Sequence, residues 1–174
     1  MSIFLLALLA CSPSSDDIAR NLASPNPAVR VDTAKISRNF GSDTVEKALI
    51  GALDDEIEQV RVNAIESLAE LEAVQAVPAL VDLLAAEEVP PRVLRATVDT
   101  LGRLGDVAAV PTLIFYLEAH EASEPPLNAI WALGHLEDHR SLAVLSRLRE
   151  SKDPYVRWSA TLALRNLRPP PAAG

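Results

Sequence analysis

The chain has 174 residues, of which 49% are hydrophobic but 4% aromatic; its net charge is −8 and it holds one cysteine. A core with so few aromatics must be built from Leu, Ala, Val and Ile. That suits closely packed helices, and the scarcity of alternating β-branched runs argues against a sheet. The acidic balance repels phosphate surfaces overall, which argues against nucleic acid as a partner, and a lone cysteine excludes an internal disulfide.

The first element is an uninterrupted apolar run, Ile3-Phe4-Leu5-Leu6-Ala7-Leu8-Leu9-Ala10. It is far shorter than the ~20 residues a membrane-spanning helix needs and matches the apolar region of a secretory signal. Leu8-Leu9-Ala10-Cys11 resembles the lipobox of bacterial lipoproteins. In that family the chain is cut before the cysteine and the cysteine is lipidated. The resemblance implies a signal peptide over 1–10, a lipid on Cys11 and a polar tether over 11–15. Ser12 in place of Asp after the cysteine implies outer-membrane delivery in a two-membrane bacterium. The other readings of this run are a mis-called start and an apolar N-terminal helix that caps the helical stack after it.

From residue 16 onward the chain repeats. A stripe with i, i+4, i+8, i+11 spacing, seen at Val60, Ala64, Leu68 and Leu71, starts again at Val29, Val93, Pro125 and Val156. The steps are 31, 33, 32 and 31 residues, a period that signals stacked helix pairs. The predicted repeats span 16–41, 44–72, 77–105, 110–137 and 140–168, each a helix A, a turn and a helix B. In the first, helix A covers 16–23, the turn is Ser24-Pro25-Asn26-Pro27, and Gly41 follows helix B. In the second, helix A covers 44–53, and Asp54-Asp55-Glu56 open helix B with carboxylates at its positive end. Helix A covers 77–86, 110–119 and 140–150 in the remaining three. Their turns hold Val89-Pro90-Pro91, residues 123–126 and Lys152-Asp153-Pro154. Pro169-Pro170-Pro171 ends the last helix B and leaves 169–174 as a Pro-rich tail.

These units resemble HEAT repeats, particularly the bacterial subtype named for phycobilisome lyase. The match rests on Val29-Arg30, Val60-Arg61 and Val156-Arg157 at the start of helix B. It rests also on Leu101-Gly102-Arg103-Leu104-Gly105-Asp106 and Leu133-Gly134-His135-Leu136-Glu137-Asp138 at its end, and on Val77-Pro78 and Val110-Pro111 opening helix A. The resemblance implies an all-α, right-handed α-solenoid of the armadillo type, with helix B lining a concave surface. In the family the helix-B arginine ties carboxylates and loop carbonyls between repeats, which implies that role for Arg30, Arg61 and Arg157. Leu94 and Pro126 stand where the third and fourth repeats would carry it.

Numbering each helix B from the head of its stripe, positions 2, 6, 9 and 10 point away from the stripe. In the first three repeats that face is charged and mixed. In the last two it gathers Leu127, Trp131, Trp158 and Leu162, the chain's two tryptophans included. Neighbouring helices stand roughly 10 Å apart, so these side chains can form one patch. Together with Arg95 and Arg103 they are the candidate partner-binding residues; a terminal cap, or a cover from the tail or from an oligomer contact, is the alternative.

Reaction chemistry is sparse. His135 and His139 have ligand-like spacing but sit where a helix runs into a turn, with no third ligand; His120, between Glu118 and Glu121, reads as solvated. Deoxyhypusine hydroxylases, which are HEAT-like, bind iron through His-Glu pairs, and no such pair occurs here. No phosphate loop or nucleophile elbow is present. The expectation is therefore a non-enzymatic protein-binding scaffold without cofactor or metal, lipid-anchored in the cell envelope, with a protein partner. The alternatives are an accessory subunit or enzyme of the HEAT-like lyase group, and a soluble cytoplasmic adaptor.

Overall fold

The computed structural model describes residues 12–120 and 125–167. The predicted signal, Cys11, the start of the fourth turn, and the tail from 168 on lie outside the described residues. The described residues form ten α-helices and no strand. These are α1 (Ser15–Leu22), α2 (Pro27–Ile36), α3 (Asp43–Gly51), α4 (Glu58–Glu70) and α5 (Val77–Ala85), then α6 (Pro91–Leu104), α7 (Val110–His120), α8 (Leu127–His135), α9 (Leu142–Leu148) and α10 (Pro154–Asn166). Odd-numbered helices are A helices and even-numbered ones B helices. They fall into two compact units that divide between Leu71 and Glu72.

In the first unit α1 packs beside α3, α2 beside α4, and each A helix against its own B helix. Local sequence sets the helix starts. Ser14 and Asp17 form a reciprocal capping box on α1, Asn26 caps α2 ahead of Pro27, and Ser42 accepts the Val45 N–H on α3. Ile18, Leu22, Val45, Leu49, Val60, Ala64 and Leu68 are buried in the core. The B helices are also joined by short polar side chains. Asn63 Nδ2 donates to the Val31 carbonyl at 3.0 Å, and Ser67 Oγ to the Ala34 carbonyl at 2.6 Å.

Arg30 joins the first turn to the second. Its Nε and Nη2 donate to the two oxygens of Asp55 at 2.6 and 3.0 Å, Nη2 also reaches Glu56, and Nη1 donates to the Ser24 carbonyl at 2.9 Å. This revises the reading of Asp54-Asp55-Glu56. Helix α4 starts only at Glu58, so these carboxylates do not open it; Asp55 and Glu56 serve Arg30 instead. Partial burial opposes the charge on Asp55, but the Arg30 and Ile57 hydrogen bonds outweigh it and hold the carboxyl below its usual range.

In the second unit α6, α8 and α10 lie side by side as a B layer, and α5, α7 and α9 pack on α6, α8 and α10 in turn. Val77, Leu80 and Leu84 on α5 recur as Val110, Leu113 and Leu117 on α7, all buried. In the third to fifth repeats a 3-10 turn (Val74–Ala76, Val107–Ala109, His139–Ser141) leads straight into the A helix. The fifth A helix is therefore a 3-10 turn plus the seven residues of α9, shorter than the periodicity predicts. Helix α6 ends on Gly105 at φ +74°; the same position after α4 and α8 is Glu72 at φ +53° and Glu137 at φ +51°.

The B layer of this unit closes through glycine. A Cβ added to Gly134 would lie 2.6 Å from both Cα and Cβ of Ala163 on α10, and one on Gly102 would lie 2.9 Å from the Ala132 Cβ on α8. A second lock ties successive repeats. Asp138 holds Arg140 through both carboxylate oxygens, at 2.9 and 2.7 Å, and Arg140 Nη2 reaches back to the Val107 carbonyl at 2.7 Å. Those Arg140 bonds, together with the Arg140 backbone N–H, bring the Asp138 pKa down to about 2 against the opposing effect of burial.

Gly134→Ala is expected to destabilise by about 1–3 kcal/mol, because the contact it meets is backbone. Gly51→Ala, with nothing near its Cβ, is expected to be neutral or slightly stabilising; urea unfolding of both variants checks this. Because the Asp138 pKa is depressed, its contribution is present above its ordinary range near 4 and disappears as pH falls towards 2. Asp138→Asn, which keeps a capping side chain, should lose about 1 kcal/mol at neutral pH after allowance for the solvent-screened Arg140. Its unfolding midpoint should then converge with that of the unaltered protein on acidification.

Candidate functional site

On α8 and α10, the residues that pack inward are small or branched: Ala129, Ile130 and Leu133 on one, Val156, Ala160 and Ala163 on the other. The helical period then turns positions 2 and 6 outward. Leu127 is 44% exposed, Trp131 47%, Trp158 64% and Leu162 37%. Trp131, Trp158 and Leu162 line one groove of about 390 Å³, together with Gly134, His135, Ser159, Ala163, Arg165 and Asn166. Leu127 lines a separate cleft of about 580 Å³ with Pro91, Leu94, Arg95, Tyr116, His120, Pro125, Pro126 and Asn128.

Trp131 is the more closely packed of the two indoles. It stacks nearly parallel on His135, with ring centroids 5.1 Å apart and planes 13° apart. Its edge covers Gly102, where an added Cβ would come within 2.7 Å of the ring. Among the described residues no ring stacks on Trp158, which stands out from α10 at 64% exposed. The result is an open apolar wall next to a braced one, bordered by the Arg165 guanidinium.

Of the two arginines predicted on this face, Arg95 lines the larger cleft, and Arg103 is exposed near the end of α6. Beside Arg95, burial pushes the Tyr116 phenol upward in pKa. His120 is half-buried, not solvated: its ring lies 4.5 Å from Tyr116, and Nδ1 is 2.8 Å from the Tyr116 carbonyl. His139 sits in a 3-10 turn 3.9 Å from Asp138. Among the described residues no three His, Cys, Asp or Glu side chains group as metal ligands, and no helix is long and apolar enough to cross a membrane.

The predicted face is less uniform than its period suggests. At position 2, Val62 is buried and Val31 half-buried, while Leu127 and Trp158 are open. The three predicted inter-repeat arginines also differ. Arg30 spans two repeats as described. Arg157 donates to the carbonyls of Ser151 and Lys152 in its own turn, so its bonds do not cross between repeats. Arg61 is half-buried, and its Nε is buried without a hydrogen-bond partner. Sequence reasoning did not single out Arg165, although position 9 lies in the outward set, nor the pairing of His135 with Trp131 that i, i+4 spacing allows.

The profile for HEAT repeats matches residues 16–92 and 86–165. The chain belongs to the HEAT-repeat family. No curated protein matches it in sequence. Among solved structures it is similar to the complex of CpcE and CpcF of phycocyanin lyase from Nostoc sp. PCC7120, at 23% identity and a TM-score of 0.73, over 91% of this chain and 66% of that one. It thus spans just under two thirds of that protein's length. It is similar to a designed armadillo repeat protein in complex with the peptide (KR)4, at 16% identity and TM-score 0.68, over 94% of this chain and 85% of that one. Human deoxyhypusine hydroxylase in complex with glycerol matches at 21% identity and TM-score 0.56, over 87% of this chain and 62% of that one.

These likenesses establish the all-α armadillo-type fold. They also overturn the expectation that the chain is not an enzyme, because a phycocyanin lyase complex and a hydroxylase share its architecture. A fold by itself says nothing against catalysis in one member of it.

Proposed function

We propose that this HEAT-repeat protein binds a protein partner through the outward face of α8 and α10. The observation that carries the reading is that both tryptophans of the chain line one groove with Leu162. Exposed aromatic side chains grouped on stiff helices are the usual anchors of an interface, since they bury large area with few rotamers to freeze. The designed armadillo protein, of the same fold, is itself in complex with a peptide. A second reading makes the same face a subunit contact within an enzyme assembly; it is favoured by the likeness to the CpcE–CpcF complex. On the sequence Leu8-Leu9-Ala10-Cys11 we further propose that the protein is lipid-anchored at Cys11 in the cell envelope.

A photocrosslinking residue placed at Trp158 or Leu162 should capture the same protein in cells, whereas one at Ala143, exposed on α9, should not. Capture that is equal at Ala143, or that survives Trp131→Ala in the Leu162 crosslinker, would remove the groove as the binding site. The captured protein's identity separates an enzyme subunit from another partner. Mass spectrometry of the mature N-terminus should find diacylglyceryl-modified Cys11; an unmodified Met1 would end the anchoring proposal.

A further inference from the structure

The protein carries −8 overall, but its charge is not spread evenly. Within the second unit, α6, α8 and α10 hold five arginines (Arg92, Arg95, Arg103, Arg157 and Arg165) against one carboxylate, Asp99. The B helix α4 of the first unit shows the opposite balance, with Glu58, Glu66 and Glu70 against Arg61. Asp99 is half-buried and accepts a hydrogen bond from Asn128 Nδ2 at 3.0 Å. Arg157 is turned back onto its own turn, and Arg92 and Arg103 are engaged elsewhere.

Arg95 and Arg165 are different. Both are exposed, and among the described residues neither has an ion-pair partner. Each borders one of the two clefts that flank α8. Arg165 lies in the groove with Trp131, Trp158 and Leu162; Arg95 lies in the cleft with Leu127 and Tyr116. Each apolar recess is therefore paired with one guanidinium, which presents a planar fork suited to a carboxylate.

We propose that this face takes an acidic peptide segment of a protein partner, one that seats an apolar side chain between Trp131, Trp158 and Leu162 and sets carboxylates against Arg165 and Arg95. The inference rests on the protein-binding reading above and adds the chemistry of the partner. At physiological ionic strength screening acts over roughly 8 Å, so the partner meets these local guanidinium groups and not the net charge of the chain. Trp131 and Trp158 are surfaces on which bases can stack, but two guanidinium groups are few for a backbone that carries one phosphate per nucleotide, which favours a peptide over a single-stranded nucleic acid.

The test is selection of twelve-residue peptides from a random display library on the intact protein, with Trp131→Ala/Trp158→Ala protein for counter-selection. The expected winners combine Leu, Phe or Trp with Asp or Glu. Synthetic copies should bind about tenfold more weakly to Arg165→Glu protein and lose affinity as salt rises. Their Glu→Gln analogues should bind more weakly, and Glu→Lys analogues weaker still. Winners with apolar anchors but no acidic enrichment, or no response to Arg165→Glu, would overturn the charge inference and leave the groove in place. Winners that bind the double-tryptophan variant equally well, or a selection without enrichment, would overturn both. Tighter binding of a twelve-nucleotide single strand than of any selected peptide would assign the face to nucleic acid and overturn the proposal.

Discussion

The structure depends on a fixed spacing between successive B helices, held by polar side chains short enough to reach only one neighbour. Asn63 reaches Val31, Ser67 reaches Ala34, and Asn128 reaches Arg95, each from a B helix to a main-chain carbonyl 32 or 33 residues back. Arg140 reaches Val107 across 33 residues on the other side of the second unit. These separations equal the sequence period. Each bond therefore joins a position to the neighbourhood of its own copy, and the repeat is enforced where an apolar stripe alone would permit slippage. A buried donor or acceptor out of register would lie unpaired at a penalty of about 1–3 kcal/mol.

The same spacing explains why the exposed tryptophans lie where they do. Helices that approach closely enough for Gly102 and Gly134 to be needed leave no room between them for a large side chain. An indole on α8 or α10 can only sit over a glycine or leave the interface. Trp131 does the first in part: its edge covers Gly102 while one face stacks on His135. Trp158 does the second. A pair of small residues in the packing seam therefore creates both the tight B layer and the shelf on which the groove is built. This links a local steric property to a surface that can hold a partner.

The period of about 32 residues, the helix pairs and the buried stripe could be read from Val29, Val60, Val93 and Val156, because burial is dictated by spacing. The turns were less legible. Asp54-Asp55-Glu56 has the composition of a helix N-terminus, yet Arg30 from 25 residues earlier claims Asp55, and α4 starts later. That competition is tertiary and leaves no local mark. Likewise the outward phase of Trp131, Trp158 and Leu162 follows from the helical period, whereas the closing of Val62 at the equivalent position does not. Arg165 went unnoticed because its importance comes from the groove beside it, which forms only when α8 and α10 are packed. The expectation about catalysis rested on absent short motifs, and an architecture shared with a phycocyanin lyase complex and a hydroxylase overturns it.

What distinguishes one repeat protein from another is the set of positions at which it breaks its own period. Where the first repeat has Arg30, threading between Ser24, Asp55 and Glu56 and filling the space between turns, the third and fourth have Leu94 and Pro126. Neither residue can reach a carbonyl or carboxylate, and both line the cleft of about 580 Å³. A structural tie has been exchanged for open volume. Beside it Arg95, one residue past the lost arginine position, supplies a guanidinium that faces outward where Arg30 faces in. The last two repeats break the period again with tryptophan at positions 6 and 2. A regular stack would place neither volume nor indole there, so these departures give the second unit two recesses and both exposed indoles.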